Sequence, residues 1–519
     1  MTAVEWFLEA LKQRGVRWVA TLCGHGLDPL YNAARRVGLR LIDTRNEQTA
    51  AYMAVSAGRL TRQPAVAAVS SGVAHAIALA GVADAFMDGA PMLLVSGAAA
   101  VRTRGMGHFQ DLDQVTLAAP VSRYARYVDC AERVLEILDE AWRAALEGPG
   151  PAHVTFPMDV QSAEVEPDQL VRPPWRPPRR ARLGDPGEVA RLLADAERPL
   201  VVAGSGVYYA GEAEPLTEFC ERFAIPFVIP IWDRGCAERR LRSFMGVIGA
   251  LTGGPRLLAD ADCVVMAGAV PDYRVGYLQP GSVAPDLRVG FLSEGWREVG
   301  PLYERSGGRA HEAWREEAAR RRDRFRRSVW ECGERQSGGR THAVHILRAL
   351  AEVLTDQTVL LIDGGSIGQW AHHLLCDRYP GHWLTCGRSG VVGWGIAGAM
   401  AARVTFPDRP VVLLAGDGAF TFAVAELECA VRQGLPFVAI VADDQGWGIT
   451  RAGHLEKFGE PIASALGPVD FAKLAEALGA RGLRLEAPGA IASALRSALE
   501  AAAVTVLHVP IAGGNPAGA

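Results

Sequence analysis

What most constrains this chain is a repeated alternation of short β-branched runs with Ala-, Leu-, Glu- and Arg-rich stretches of 10–20 residues. Trp18–Leu22, Ala65–Ser70, Met92–Ser96, Leu200–Ala203, Cys263–Ala267, Val359–Ile362, Val411–Ala415, Phe437–Ala442 and Val504–Val509 read as strands. A helix between two strands returns the chain to the same end of a sheet. The order therefore predicts the α/β class, with parallel, doubly wound sheets covered by helices.

A length of 519 residues is too great for one core. Two breaks divide it. Val171–Arg180 carries four prolines and suits neither a helix nor an inner strand. Gly333–Gly339 reads as a flexible polar break. Three domains are expected, at 1–170, 185–330 and 340–519. The first and last look alike, each with a Gly-rich turn and a closing strand that runs into proline, at Pro157 and Pro510. They are expected to form two related sheets facing each other.

A net charge of −4 gives no overall field toward nucleic acid or an anionic membrane. The basic run Arg320–Arg327 follows Glu312, Glu316 and Glu317 at helical spacing, which predicts a solvated helix. The nine cysteines are dispersed with no C-x-x-C pair, which reads as reduced thiols in a cytoplasm. The N-terminus shows no secretory pattern, and no apolar stretch approaches the roughly 18 residues of a membrane span. A soluble cytoplasmic protein is expected.

The chemistry gathers at Leu414-Ala-Gly-Asp417-Gly-Ala-Phe420. A Gly-Asp-Gly at a strand end allows a tight turn and aims a carboxylate from the carboxyl edge of a parallel sheet, where such folds bind ligands. Thr421–Val431 is helical in pattern, so its amino end would favour a phosphate. The next strand ends in Asp443-Asp444-Gln-Gly446-Trp447-Gly448, which puts Asp444 27 residues after Asp417 and on the same edge. Two carboxylates, a carbonyl and phosphate oxygens make a hard oxygen site suited to Mg²⁺.

Gly416-Asp417-Gly418 followed by Asp443-Asp444 resembles the metal signature of thiamine-diphosphate (ThDP) enzymes. In that family Asp and the second of two Asn residues bind the metal. The resemblance implies Asp417, Asp444 and the Gly446 carbonyl as ligands, with Gly418, Ala419, Trp447 and Gly448 around the cofactor. Asp443-Asp444 stands where Asn-Asn is usual, which keeps an oxygen ligand and adds negative charge beside the diphosphate.

Arg45-Asn-Glu47-Gln…Met53-Ala54 is similar to the segment of the acetolactate synthase and decarboxylase branch whose Glu hydrogen-bonds the cofactor aminopyrimidine. That implies Glu47 as the activating carboxyl. Ser70-Ser-Gly72, Ala83-Asp-Ala85 and Pro91…Gly97 follow in the family's order, with Val73 and Ile77 where it carries Pro and Asn. Phe109-Gln110-Asp-Leu-Asp113 resembles an element that places Gln over the cofactor in acetolactate synthases and benzaldehyde lyase. Gly368-Gln369 falls where the diphosphate loop begins, and Gly390-Val-Val392-Gly-Trp-Gly395 matches the segment that supports the bent cofactor, with Val392 against it. His25 and His108 are candidates for proton transfer, with Gln110 as a hydrogen-bond donor.

The resemblance implies pyrimidine and diphosphate domains flanking a central Rossmann-like domain. It also implies sites built from two chains, in a homodimer as minimal active unit or a homotetramer. It implies C–C bond making or breaking beside the carbonyl of a 2-keto acid or 2-hydroxy ketone, foremost as an acetolactate synthase-like carboligase. A 2-keto-acid decarboxylase, a benzaldehyde or 2-hydroxyacyl lyase, and a catalytically inactive regulatory homologue are the alternatives. Arg198–Gly206 is a strand into a Gly-rich turn without the third glycine of a nicotinamide fingerprint. Whether this central block binds FAD, ADP or nothing stays open.

Overall fold

The computed structural model describes all residues except 175, 179–181, 234, 236, 238, 239, 250–254, 376–381, 515 and 517–519. Trp175, Arg179 and Arg180 of the proline-rich break, and Cys236 and Cys376, lie outside the described residues. The seven described cysteines are all free thiols. Among the described residues no helix is long and apolar enough to cross a membrane.

The chain forms two compact units. The first comprises 1–181 with 387–408 and 423–435. Its sheet holds β1 (Trp18–Leu22), β2 (Arg40–Asp43), β3 (Ala65–Val69), β4 (Met92–Ala98), β5 (Tyr124–Tyr127) and β6 (Pro151–Pro157). The order is β2-β1-β3-β4-β6-β5, and every pairing is parallel. The helix Glu47–Thr61 is buried on nearly every side from Thr49 to Leu60, against the helices Val73–Asp88 and Gly395–Thr405. Alanines at 50, 51, 54 and 57 are what let three helices approach so closely.

The second unit comprises 182–386, 409–422 and 436–519. One sheet holds β7 (Pro199–Ala203), β8 (Phe227–Pro230), β9 (Phe244–Ile248), β10 (Cys263–Ala267) and β11 (Arg288–Leu292), in the order β11-β10-β7-β8-β9. The other holds β12 (Val359–Ile362), β13 (His382–Leu384), β14 (Val411–Gly416), β15 (Val438–Asp443), β16 (Arg481–Arg484) and β17 (Thr505–Pro510), in the order β13-β12-β14-β15-β17-β16. Rank for rank this repeats the first sheet, and all its pairings are parallel. The inner strands β12, β14 and β15 are buried along their whole length, as strands covered on both faces must be.

Three sequence expectations change. The polar break at Gly333–Gly339 is helical as far as Ser337, inside the helix Glu312–Ser337. Gly333 is buried there against Val344 and Trp370, where no side chain would fit, and only Gly338 and Gly339 turn out with positive φ. The helix expected over 421–431 is two pieces, Asp417–Thr421 and Glu426–Arg432. Gly368 and Gln369 lie not in a loop but in the helix Ser366–Leu374, and the glycine turn is Gly364-Gly365 before it. The Arg320 run does lie on an ion-paired helix, with Arg320 and Arg321 both on Glu317.

Candidate active site

The carboxyl edge of the first sheet carries the loops that follow β1, β2, β3 and β4. After β2, Asn46 caps the helix Glu47–Thr61 by accepting from the Gln48 N–H at 2.8 Å. Glu47 is thereby fixed, half-buried, in the first helical turn, and no hydrogen bond or ion pair engages its carboxylate among the described residues. The residue before the cap is pinned too. The Arg45 N–H lies 3.0 Å from both carboxylate oxygens of Glu426, a residue 1% exposed, and Arg45 pairs with Glu428. Burial raises the Glu426 carboxyl, partly offset by the Arg45 N–H.

After β1, the His25 carbonyl accepts from Ser70 Oγ at 2.7 Å, which ties that loop to the one after β3. The His25 ring stacks on His108 at 5.6 Å and meets the edge of Phe109 at 5.4 Å. Its Nε2 is buried without a partner. Gln110 adopts φ 55°, and its Oε1 accepts from Ser71 Oγ at 2.9 Å. The fold thus brings His25, His108 and Gln110 together over Ser70-Ser71-Gly72.

Gln114 underlies them, and sequence reasoning stopped one residue short of it. Its Oε1 accepts from the Gly72 N–H at 2.5 Å, while Nε2 donates to Ser96 Oγ at 2.9 Å and the Gly97 carbonyl at 3.0 Å. Ser96 Oγ in turn lies 2.8 Å from His153 Nε2, whose ring is 4.5 Å from that of His75. Burial holds His75 neutral, down to about 4 from 6.5.

Gly390 and Val392 belong to this first unit as well. Their segment is anchored by Asp88, which accepts from the Arg388 N–H at 2.6 Å, and by Asp84, which accepts from Ser389 Oγ at 2.5 Å. Gly390 turns with φ 67°, and Val392 is half-buried.

In the second unit, β14 and β15 are neighbours in register, Gly416 beside Ala442, so Asp417 and Asp443-Asp444 leave the sheet side by side. Asp417 is 4% exposed and accepts from the Gly446 N–H at 3.1 Å on Oδ2. Burial, then Asp444 and Asp443, push its carboxyl up to about 7. Burial also raises Asp444, opposed by Arg451, whose Nη2 is 3.3 Å from its Oδ2. Gly446 bridges Ala465 in antiparallel fashion, with its N–H turned away toward Asp417. In extended backbone the carbonyl of the same residue faces that side too.

Glycines keep the space open. A Cβ on Gly448 would lie 2.5 Å from Asp444 Oδ2 and 3.0 Å from Ser366 Oγ, and one on Gly418 2.9 Å from the Trp447 ring. One on Gly416 would lie 3.0 Å from the Gly364 carbonyl. Ala419 is buried in the helix Asp417–Thr421, and Gln369 Oε1 is buried without a partner. Asp417, Gly418, Ala419, Asp444, Gly446, Trp447 and Gly448 therefore converge. Sequence reasoning missed Ser366, Arg451 and the Gly364-Gly365 turn, although Asp363-Gly-Gly-Ser366 after β12 repeats the strand-end glycine pattern of Gly416-Asp-Gly. Among the described residues no three acidic, His or Cys side chains form a cation cage by themselves. The two carboxylates and the carbonyl fit Mg²⁺ that takes its remaining oxygens from a diphosphate and water.

Comparison with known proteins agrees with this architecture. Residues 1–117, 187–289 and 363–509 match, in turn, the N-terminal TPP binding domain, the central domain and the C-terminal TPP binding domain of thiamine pyrophosphate enzymes. A probable acetolactate synthase of Mycobacterium bovis is 30% identical, with 96% of this chain and 94% of that protein covered. Human 2-hydroxyacyl-CoA lyase 2 is 29% identical, with 92% and 84% covered. An acetolactate synthase of Bacillus subtilis is 27% identical, with 98% and 92% covered. With three matching domains in the family's order and relatives aligned along almost its whole length, the chain belongs to the thiamine pyrophosphate enzymes, in their acetolactate synthase-like branch.

Proposed function

We propose that this enzyme is a ThDP- and Mg²⁺-dependent carboligase, which joins the acyl part of a 2-keto acid or 2-hydroxy ketone to a second carbonyl compound. The observation that carries the reading is the buried oxygen set of Asp417, Asp444 and Gly446 at adjacent strand ends. Those residues would hold Mg²⁺ and, through it, the diphosphate. The turns at Gly364-Gly365, Gly418 and Gly448 leave room for phosphate oxygens against backbone.

When bound, thiamine diphosphate supplies an electron sink for the carbon of the carbonyl under attack. Glu47, its carboxylate without a partner among the described residues, would hold a proton at N1′ of the aminopyrimidine. Val392 would support the ring. Gln110, fixed by Ser71 and the Gln114 network, would donate to the substrate carbonyl, and His25, with an unpartnered Nε2 and His108 stacked on its ring, would give or take a proton.

A homodimer is proposed as the smallest active unit, in a homotetramer. The helix Val73–Asp88 supports this with an apolar outer face, on which Val73 is 64%, Ile77 38% and Met87 48% exposed. We propose no role for FAD. The N–H of Ser205, at the glycine turn after β7, is already taken by Asp233 at 3.1 Å, and Arg274 is engaged by Asp233, Asp272 and the Ile231 carbonyl. A cytoplasmic location is proposed from the dispersed free thiols.

The second reading is a 2-hydroxyacyl lyase, favoured by the 29% identity to the human lyase over 92% of the chain. Incubation with ThDP, Mg²⁺ and pyruvate, and separately with acyloins and 2-hydroxyacyl thioesters, separates the two. CO₂ release with stoichiometric acyloin supports the carboligase. Aldehyde release from the hydroxyacyl compounds alone would replace it with the lyase.

A further inference from the structure

At the proposed cation site this chain places two carboxylates where one carboxylate and one amide would supply the same oxygens. The side chains of Asp417 and Asp444 are almost out of solvent, at 4% and 5% exposure, and Asp443 adjoins them. Asp443 has its own partner, His508, with Nε2 2.9 Å from its Oδ2. Asp444 is met by Arg451, one turn into the helix Gly448–Phe458. Arg451 Nη2 lies 3.3 Å from Asp444 Oδ2, and Nη1 donates to the Asp444 carbonyl at 3.1 Å and the Gln445 carbonyl at 3.4 Å.

The surroundings are cut to fit the guanidinium. A Cβ on Gly446 would lie 2.6 Å from Nη1, and one on Gly513 2.7 Å from Nη2. The helix that carries Arg451 has no buried residue, so apolar packing does not hold the side chain where it is. Its anchor is the ion pair and the two carbonyls. A planar fork that reads a carboxylate and backbone together is what Arg supplies and Lys does not.

We propose that Arg451 is a positioning residue that makes Asp444 the electrical equivalent of a neutral amide. The cation keeps its oxygen ligand, and the diphosphate meets a site one charge less negative than two bare carboxylates would present. This rests on the thiamine diphosphate reading above. A charge partner acts with opposite sign on the two ligands: without it the site is more negative, better for a free cation and worse for an anion. A purely structural prop would weaken both.

The test measures binding on the full-length protein. Mn²⁺ alone is titrated by electron paramagnetic resonance, and ThDP with saturating Mn²⁺ by calorimetry. In R451A, Mn²⁺ alone is expected to bind as tightly as in wild type or tighter, while ThDP binds about tenfold or more weakly. D444N/R451A, which removes both charges, is expected to restore ThDP binding to within about threefold of wild type. R451Q and D444N/R451Q give the same comparison with amides in place if R451A does not fold. Parallel loss of Mn²⁺ and ThDP in R451A, or ThDP loss that neither double variant relieves, overturns the pairing. Wild-type protein that binds neither ligand overturns the cofactor reading itself, whereas wild-type binding left unchanged by R451A overturns only the role of Arg451.

Discussion

The Arg45 backbone N–H and the Glu426 carboxylate meet at 3.0 Å on both oxygens, two residues before Glu47 and far from it in sequence. The contact fixes where the helix Glu47–Thr61 starts. E426Q keeps an acceptor, whereas E426A leaves the N–H without one. E426A is expected to lose about 1–3 kcal/mol of stability, and E426Q clearly less. Thermal unfolding of the two variants checks this, and equal losses would remove the hydrogen bond from the account.

The Glu47 carboxylate has no partner among the described residues, so its removal should leave the fold intact. E47Q is expected to bind ThDP with near wild-type affinity while cofactor C2 proton exchange slows roughly 10²–10⁴-fold. Exchange followed by NMR at fixed ThDP occupancy decides it. Unchanged exchange would strike Glu47 from its role.

Gln114 satisfies three buried groups at once. Q114L keeps the approximate shape and strands the Gly72 N–H, so it is expected to cost about 1–3 kcal/mol in stability. Because the same turn carries Ser71 beneath Gln110, kcat should fall as well. A stability loss with kcat unchanged would confine Gln114 to the core.

His75 gives the pH dependence its sign. Burial lowers it from 6.5 to about 4, so the unfolded chain takes up a proton that the folded one refuses. Its contribution is complete above pH 6.5 and is lost as pH falls from there to about 4. The shift corresponds to about 3 kcal/mol at the acid end. H75F should flatten that part of a chemical-denaturation profile measured between pH 7 and 4. A profile identical to wild type would refute the assignment.

The Gly448 turn is a steric prediction. G448A would put a methyl 2.5 Å from Asp444 Oδ2, so Mn²⁺ binding should weaken about tenfold or more while the fold persists. Titration of the metal checks it. A second, cheaper observation concerns the central domain, where purified protein is expected to show no flavin absorbance.

Much of the candidate site was legible because its residues lie at strand ends. Gly416-Asp417-Gly418 and Asp443-Asp444 follow strands whose apolar runs are unmistakable, and adjacent parallel strands put their carboxyl ends together. Local pattern failed where packing overrode it. Gly333 reads as a breaker, yet the helix runs through it, and Val344 and Trp370 pack where a side chain would stand. Gly368-Gln369 reads as a loop, but the glycines that turn the chain are the pair before it.

The sequence by itself determined the class of fold, the doubling of one sheet plan at the two ends of the chain, and the carboxylates and glycines that gather at adjacent strand ends. Those depend on periodicity and on short motifs, which neighbours in the chain define. Only the tertiary structure decided which partners these residues meet: Glu426 for Arg45, Gln114 for Gly72, Arg451 for Asp444. A buried polar group takes as its partner whatever the packing brings within 3 Å, and in the first two cases that partner lies hundreds or tens of residues away.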